Sequence, residues 1–89
     1  MEKEKPKVSC NLFVLRRELE IHKKQKYTWL EIAEKSGLSR KTVERMAQNQ
    51  YRQVRFSSLE ALLAFFAEEG MPIGIEELLS VTYEVEEQG

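Results

Sequence analysis

The sequence predicts an all-α domain of five short helices, with a short strand at each end. Three observations carry that reading. Leucines and phenylalanines recur at helical spacing in two stretches, Leu12/Leu15/Leu19 and Leu59/Leu62/Leu63/Phe66. Thr28 with Glu31, and Ser57 with Glu60, have the Ser/Thr-x-x-Glu spacing that opens a helix. Gly37 and Gly70 then stand where helices of ordinary length should stop. Eighty-nine residues, 42% of them hydrophobic, suit one small domain, residues 1–89, with a modest core.

Taken in order, Met1 to Lys7 is charged, contains Pro6, and is expected to be a frayed, flexible end. Lys7 to Cys10 can form a short strand. Asn11 is a fitting N-cap for a first helix from Leu12 to about Lys24, with Phe13, Val14 and Ile21 broadening its apolar face. The run His22 to Lys26 closes that helix with cations, which suits the negative end of its dipole.

Thr28 to Ala47 reads as two helices around a tight turn. Thr28 caps the first, Ile32 and Ala33 supply its buried stripe, and Gly37 ends it. Leu38 plugs the turn and Ser39 caps the second helix. There Val43 and Met46 face inward, while Arg40, Lys41, Thr42, Glu44 and Arg45 face outward. This is the pattern of a helix-turn-helix, whose second helix lies in the DNA major groove.

Gln48 to Phe56 has no helical stripe but holds two arginines and a tyrosine, and is expected to be a loop crossing the same surface. Ser57 should open a fourth helix burying Leu59, Leu62, Leu63 and Phe66, and Ile75 to Ser80 a fifth, carrying Leu78 and Leu79. The acidic extension 81–89 begins with Val81, Tyr83 and Val85 alternating against polar residues, the period of a half-exposed strand. It should pair antiparallel with Lys7 to Cys10, within the chain as a two-stranded ribbon or across a dimer.

Charge is strongly polarised. All 14 Lys and Arg lie between Lys3 and Arg55 alongside seven Glu, a net +7; after Arg55 there are eight Glu and no basic residue, a net −8. The overall −1 conceals one cationic and one anionic half, which either form separate surfaces or attract each other. The single Cys10 excludes an internal disulfide and multi-cysteine zinc patterns, and His22 stands alone, so no metal or other cofactor is expected. No nucleophile–base pair or phosphate loop can be assembled, which argues against an enzyme. No apolar run approaches the roughly 18 residues of a membrane span, so a cytoplasmic setting without membrane contact is expected.

TWLEIAEKSGLSRKTVERM, the later SLEALLAFFAEEG and the closing IGIEELL together resemble the lambda-repressor/Cro (Xre) family of DNA-binding domains, over about Asn11 to Leu79. The resemblance implies a five-helix lambda-repressor-like fold and a sequence-specific transcriptional regulator, most simply a repressor, that binds double-stranded DNA as a homodimer. It implies base reading by Arg40 and Lys41, with Thr42 and Arg45 close by. Arg and Lys are the usual partners of guanine. Phosphate contacts would come from Thr28, Trp29 and Ser39 and from the loop residues Gln50, Tyr51, Arg52, Gln53 and Arg55. This chain departs from the family in two places. Many members have Asn-Gly after the reader helix, where Gln48, Asn49 and Gln50 stand here, and Gln often opens helix two, where Trp29 stands.

Each assignment has a plainer alternative. The cations could be a solvated helix face, Arg45 could pair with a carboxylate, and Trp29 could be a half-buried packing residue. Candidate dimer residues are Phe65, Leu78, Leu79, Val81, Tyr83 and Val85, with Phe65, like Leu63 and Phe66, read mainly as core and as a dimer contact only if exposed. The competing function is a protein-interaction module such as an antitoxin, its acidic half holding a protein partner.

Overall fold

The computed structural model describes residues 3–86, with side chains from 5 to 83. Its elements run β1 (Lys3–Cys10), α1 (Leu12–Lys23), α2 (Trp29–Ser36), α3 (Arg40–Ala47), α4 (Phe56–Glu68), α5 (Ile75–Leu78) and β2 (Leu79–Glu86). The all-α expectation is therefore corrected: five helices are joined by a two-stranded antiparallel sheet of eight residues per strand. Alternation of apolar and polar residues over 79–86 is a strand pattern, and its partner alternates in step over 6–10.

Local chemistry explains most helix ends. The Thr28 side chain accepts from the Glu31 N–H, and Ser39 from the Thr42 N–H, so α2 and α3 start where their caps stand. Gly37, at φ 81°, supplies the left-handed residue that turns the chain between them. Helix α4 differs from expectation. It begins at Phe56 with Arg55 at the cap position and no side-chain cap bond, one residue before Ser57. Ser57 is thus inside the helix and caps nothing. Helix α5 is also shorter than expected, because Leu79 and Ser80 leave it as the first residues of β2.

The core joins Leu12, Leu15 and Leu19 of α1 to Ile32 and Ala33, to Val43, Met46 and Ala47, and to Leu59, Leu62, Phe65 and Phe66. Tyr27, Phe65 and Phe66 meet edge to face with centroids 6.2 and 5.1 Å apart, the arrangement aromatic quadrupoles favour. Phe65 takes the buried position expected of Leu63, which is half-buried. Phe13, Val14 and Ile21 do not broaden the buried face of α1 and are all more than half exposed. They lie off the Leu12/Leu15/Leu19 stripe by about 100° per residue, too far to reach the core.

The ribbon grows out of this core. Cys10 pairs with Leu79 at its base, and the register continues through Val8↔Val81 and Pro6↔Tyr83 to Lys3↔Glu86. Residues 3–7, expected to fray, are its outer half. Asn11 fastens the base without capping α1: its backbone N–H donates to the Leu78 carbonyl, and its side-chain amide donates to the Glu77 carbonyl and the Ser80 hydroxyl. Asn49, held at φ 56°, fastens it from the other side. Its Oδ1 accepts from the Cys10 N–H at 2.7 Å, and its Nδ2 donates to the Cys10 carbonyl at 3.3 Å. Direct pairs share a sheet face, so Cys10, Leu79, Val8, Val81, Pro6 and Tyr83 form one side, and Ser9, Ser80, Lys7 and Thr82 the other. The first side is apolar and runs off the end of the core. Cys10 is buried, whereas Val8, Val81 and Tyr83 are 53, 56 and 65% exposed.

Candidate nucleic-acid interface

Helix α3 buries Val43, Met46 and Ala47. With about 100° between residues, its outward side then reads Arg40, Glu44, Lys41, Arg45, Thr42 from one flank to the other. Lys41 and Arg45 form the crest. A hollow opens on each flank.

On the Thr42 flank, a groove of about 940 Å³ is bounded by the turn at Gly37–Ser39, by Thr42 and Arg45, and by the loop from Gln50 to Arg55. It brings together most of the expected phosphate residues: Ser39, Gln50, Tyr51, Arg52, Gln53 and Arg55. Ser39 and Tyr51 have structural duties there. The Ser39 hydroxyl caps α3 and donates to Thr42 Oγ1 at 2.8 Å. Tyr51 is half-buried and donates to Asn49 Oδ1 at 3.0 Å. Burial, the leading cause, also raises its phenol above the usual value, so it stays a neutral donor. Arg52, Gln53 and Arg55 are exposed.

On the Arg40 flank, a smaller hollow of about 480 Å³ is lined by Arg16, Glu20, Lys26, Tyr27, Thr28, Trp29, Leu30 and Arg40. Thr28 is exposed, with its hydroxyl committed to capping. Trp29 is half-buried against the core, and its ring carries the Arg16 guanidinium at 4.1 Å. Phe13 lies beside it, ring centroids 6.1 Å apart. Trp29 is thus a packing residue at the rim of the site. Arg16 and Lys26 were invisible as site residues in the sequence, because only the fold brings α1 and the α1–α2 link to the start of α3.

Charge along the crest is unevenly engaged. Arg40 Nε sits 2.6 Å from Glu44 Oε1, an i,i+4 pair on an exposed surface. Such pairs contribute about 0.3–0.5 kcal/mol, little enough for a ligand to exchange. Lys41, Arg45, Arg52 and Arg55 have no ion-pair partner among the described residues, so the carboxylate alternative for Arg45 is not what forms.

The dimer candidates separate by burial. Phe65 and Leu78 are 2 and 0% exposed and belong to the core, which corrects their place on an outer surface. Leu79 is half-buried against the core. Val81 and Tyr83 are exposed on the ribbon, and the side chain of Val85 lies outside the described residues.

Cys10 is buried, and its thiol is pushed up by that burial, which leaves it a poor nucleophile. Among the described residues no group of three or more His, Cys, Asp or Glu could hold a metal ion, and no helix is long and apolar enough to cross a membrane. Compared with models of known families, with curated proteins and with solved structures, the chain finds no match.

Proposed function

We propose that the chain is a sequence-specific DNA-binding transcriptional regulator, a repressor of the Xre kind, that works in the cytoplasm as a homodimer. The observation that carries this reading is the disposition of α3: a ridge of Arg40, Lys41 and Arg45 with a cation-lined hollow on each flank. A helix in a major groove has a sugar-phosphate strand on either side, and this shape offers cations to both. Arg40 and Lys41 are the base readers, with Arg45 and Thr42 beside them. Arg52 and Arg55 set register on the phosphates. Two copies joined through the apolar side of the ribbon would read two half-sites, which multiplies a weak single contact.

The alternative, a protein-interaction module such as an antitoxin, draws its support from the same apolar ribbon side. Against a tail that folds only on its partner stands the complete pairing of 79–86 with 3–10.

The test is fluorescence anisotropy of an arbitrary labelled duplex of about 25 base pairs, titrated at several salt concentrations. Wild type should bind with a logarithmic salt slope of about −0.9 for each phosphate neutralised. Arg40→Ala/Lys41→Ala should bind more weakly with a shallower slope. Absence of binding by wild type near about 50 mM salt, where non-specific affinity is greatest, would retire the DNA reading in favour of the protein partner.

A further inference from the structure

On that reading of the surface, we propose that Arg16 is a phosphate clamp on the Arg40 flank, held ready by Trp29, and that Trp29 acts as its platform rather than as a DNA contact. Arg16 is a cation without a counter-charge. Among the described residues no hydrogen bond or ion pair engages it, and its Nε is buried with no partner. The carboxylate best placed to neutralise it is Glu20, one helical turn on at i+4. Glu20 instead accepts the Tyr27 backbone N–H at 2.8 Å. What holds Arg16 is aromatic, with its guanidinium carbon 4.1 Å from the centre of the Trp29 ring and 5.3 Å from that of Phe13.

Nε is covered, but the two terminal NH2 groups of the guanidinium over the indole stay available, and that planar pair matches the oxygens of a phosphate. The surroundings suit an anion. Lys26 and Arg40 line the same hollow, and among the described residues Glu20 is the one carboxylate that does. Thr28 and Trp29 open α2 there. Of its first amides, Glu31 donates to the Thr28 hydroxyl and Ile32 to the Thr28 carbonyl, and among the described residues no bond engages those of Trp29 and Leu30. Trp29 replaces a side chain that could donate to phosphate directly with a flat surface that positions one.

The same anisotropy titrations test this with Arg16→Ala, Arg16→Gln and Trp29→Phe, each checked for unchanged far-ultraviolet circular dichroism. Arg16→Ala should weaken binding roughly tenfold at about 0.1 M salt, the size of one charge-assisted contact. Its salt slope should become shallower by about 0.9. Arg16→Gln keeps most of the stem's packing and should lose the same slope, whereas Trp29→Phe keeps an aromatic platform and the wild-type slope. Trp29 is the only tryptophan. Its emission should therefore change on DNA binding in wild type, and less in Arg16→Gln. If wild type binds with a steep slope that both Arg16 variants retain, Arg16 is only a latch between α1 and α2, and this assignment fails while the DNA reading stands. If wild type shows no salt-dependent binding, both fall together.

Discussion

Asn49 is where the end of α3 is tied to the ribbon, and replacing it should loosen the whole fold. Two separable costs are involved. Its side chain accepts the N–H of Cys10, a residue only 4% exposed, and donates to the same residue's carbonyl. Truncation strands a buried donor, at about 1–3 kcal/mol. Its backbone, at φ 56°, is a conformation asparagine tolerates and alanine resists by about 1–2 kcal/mol. Asn49→Ala should therefore lose about 2–5 kcal/mol, and Asn49→Gly, which loses the same side-chain bonds but adopts this backbone without strain, about 1–3 kcal/mol. For a domain of this size each kcal/mol moves Tm by roughly 4–8 °C, so the alanine variant should melt at least about 8 °C lower. Urea denaturation followed by circular dichroism would measure both. A loss below about 0.5 kcal/mol for Asn49→Ala, or a glycine variant as stable as wild type, would show that the ribbon base does not depend on this side chain.

Three further predictions concern acid stability, alkaline stability and assembly. The Tyr27 hydroxyl donates to Glu69 at 2.6 Å, which is the main reason the Glu69 carboxyl is held below its usual value, with Lys35 adding to it at 3.2 Å against the opposing effect of burial. A depressed carboxyl stabilises the fold above its unfolded value near 4.5 and loses that contribution as pH falls through the folded value, so Glu69→Gln should flatten the fall in urea midpoint below that pH. The Tyr27 phenol, pushed up to about 12 chiefly by burial, contributes stability up to its unfolded value of 10 and loses it as pH rises towards 12, a loss absent from Tyr27→Phe. Identical pH profiles in wild type and variants would refute the coupling. For assembly, Val81→Lys should shift sedimentation equilibrium from dimer to monomer, while Thr82→Lys, on the opposite side of the same strand, should not. Equal effects from both would remove the apolar ribbon side as the interface.

What was legible in the sequence was what depends on near neighbours. The starts of α2 and α3 were readable because Thr28 and Ser39 bond to amides three residues away. The stops at Gly37 and Gly70 were readable because the left-handed residue marks itself. The start of α4 misled for the converse reason. Ser57 has the right chemistry for a cap, yet the helix begins one residue earlier, at Phe56, with no side-chain cap bond, and Ser58 is buried within it. The apolar Phe13, Val14 and Ile21 looked like core although their angle on α1 points them away from it. On the site, the cations of α3 were visible from their spacing. Arg16 was not, since its platform lies thirteen positions along the chain. The ribbon itself was legible from the alternation at 81–85, whereas its full length was not: residues 3–7 carry no strand pattern of their own and become the outer half of β1 only by pairing with the far end of the chain.

That pairing also sets an order of events in folding. Its register joins Cys10 to Leu79 first and Lys3 to Glu86 last, enclosing nearly the entire chain as one loop. Closing about 70 residues in an unstructured chain carries an entropic cost of roughly 4 kcal/mol before any strand bond is made. Docking of the five helices shortens that search by bringing Asn11 next to Leu78 and Asn49 next to Cys10. The ribbon is then the last element to close, zipping outward from its base. Amide exchange should be slowest near Cys10 and Leu79 and quicken stepwise towards the tip. On the ribosome the helices can assemble during synthesis, whereas the ribbon must wait for residue 79 and beyond to emerge.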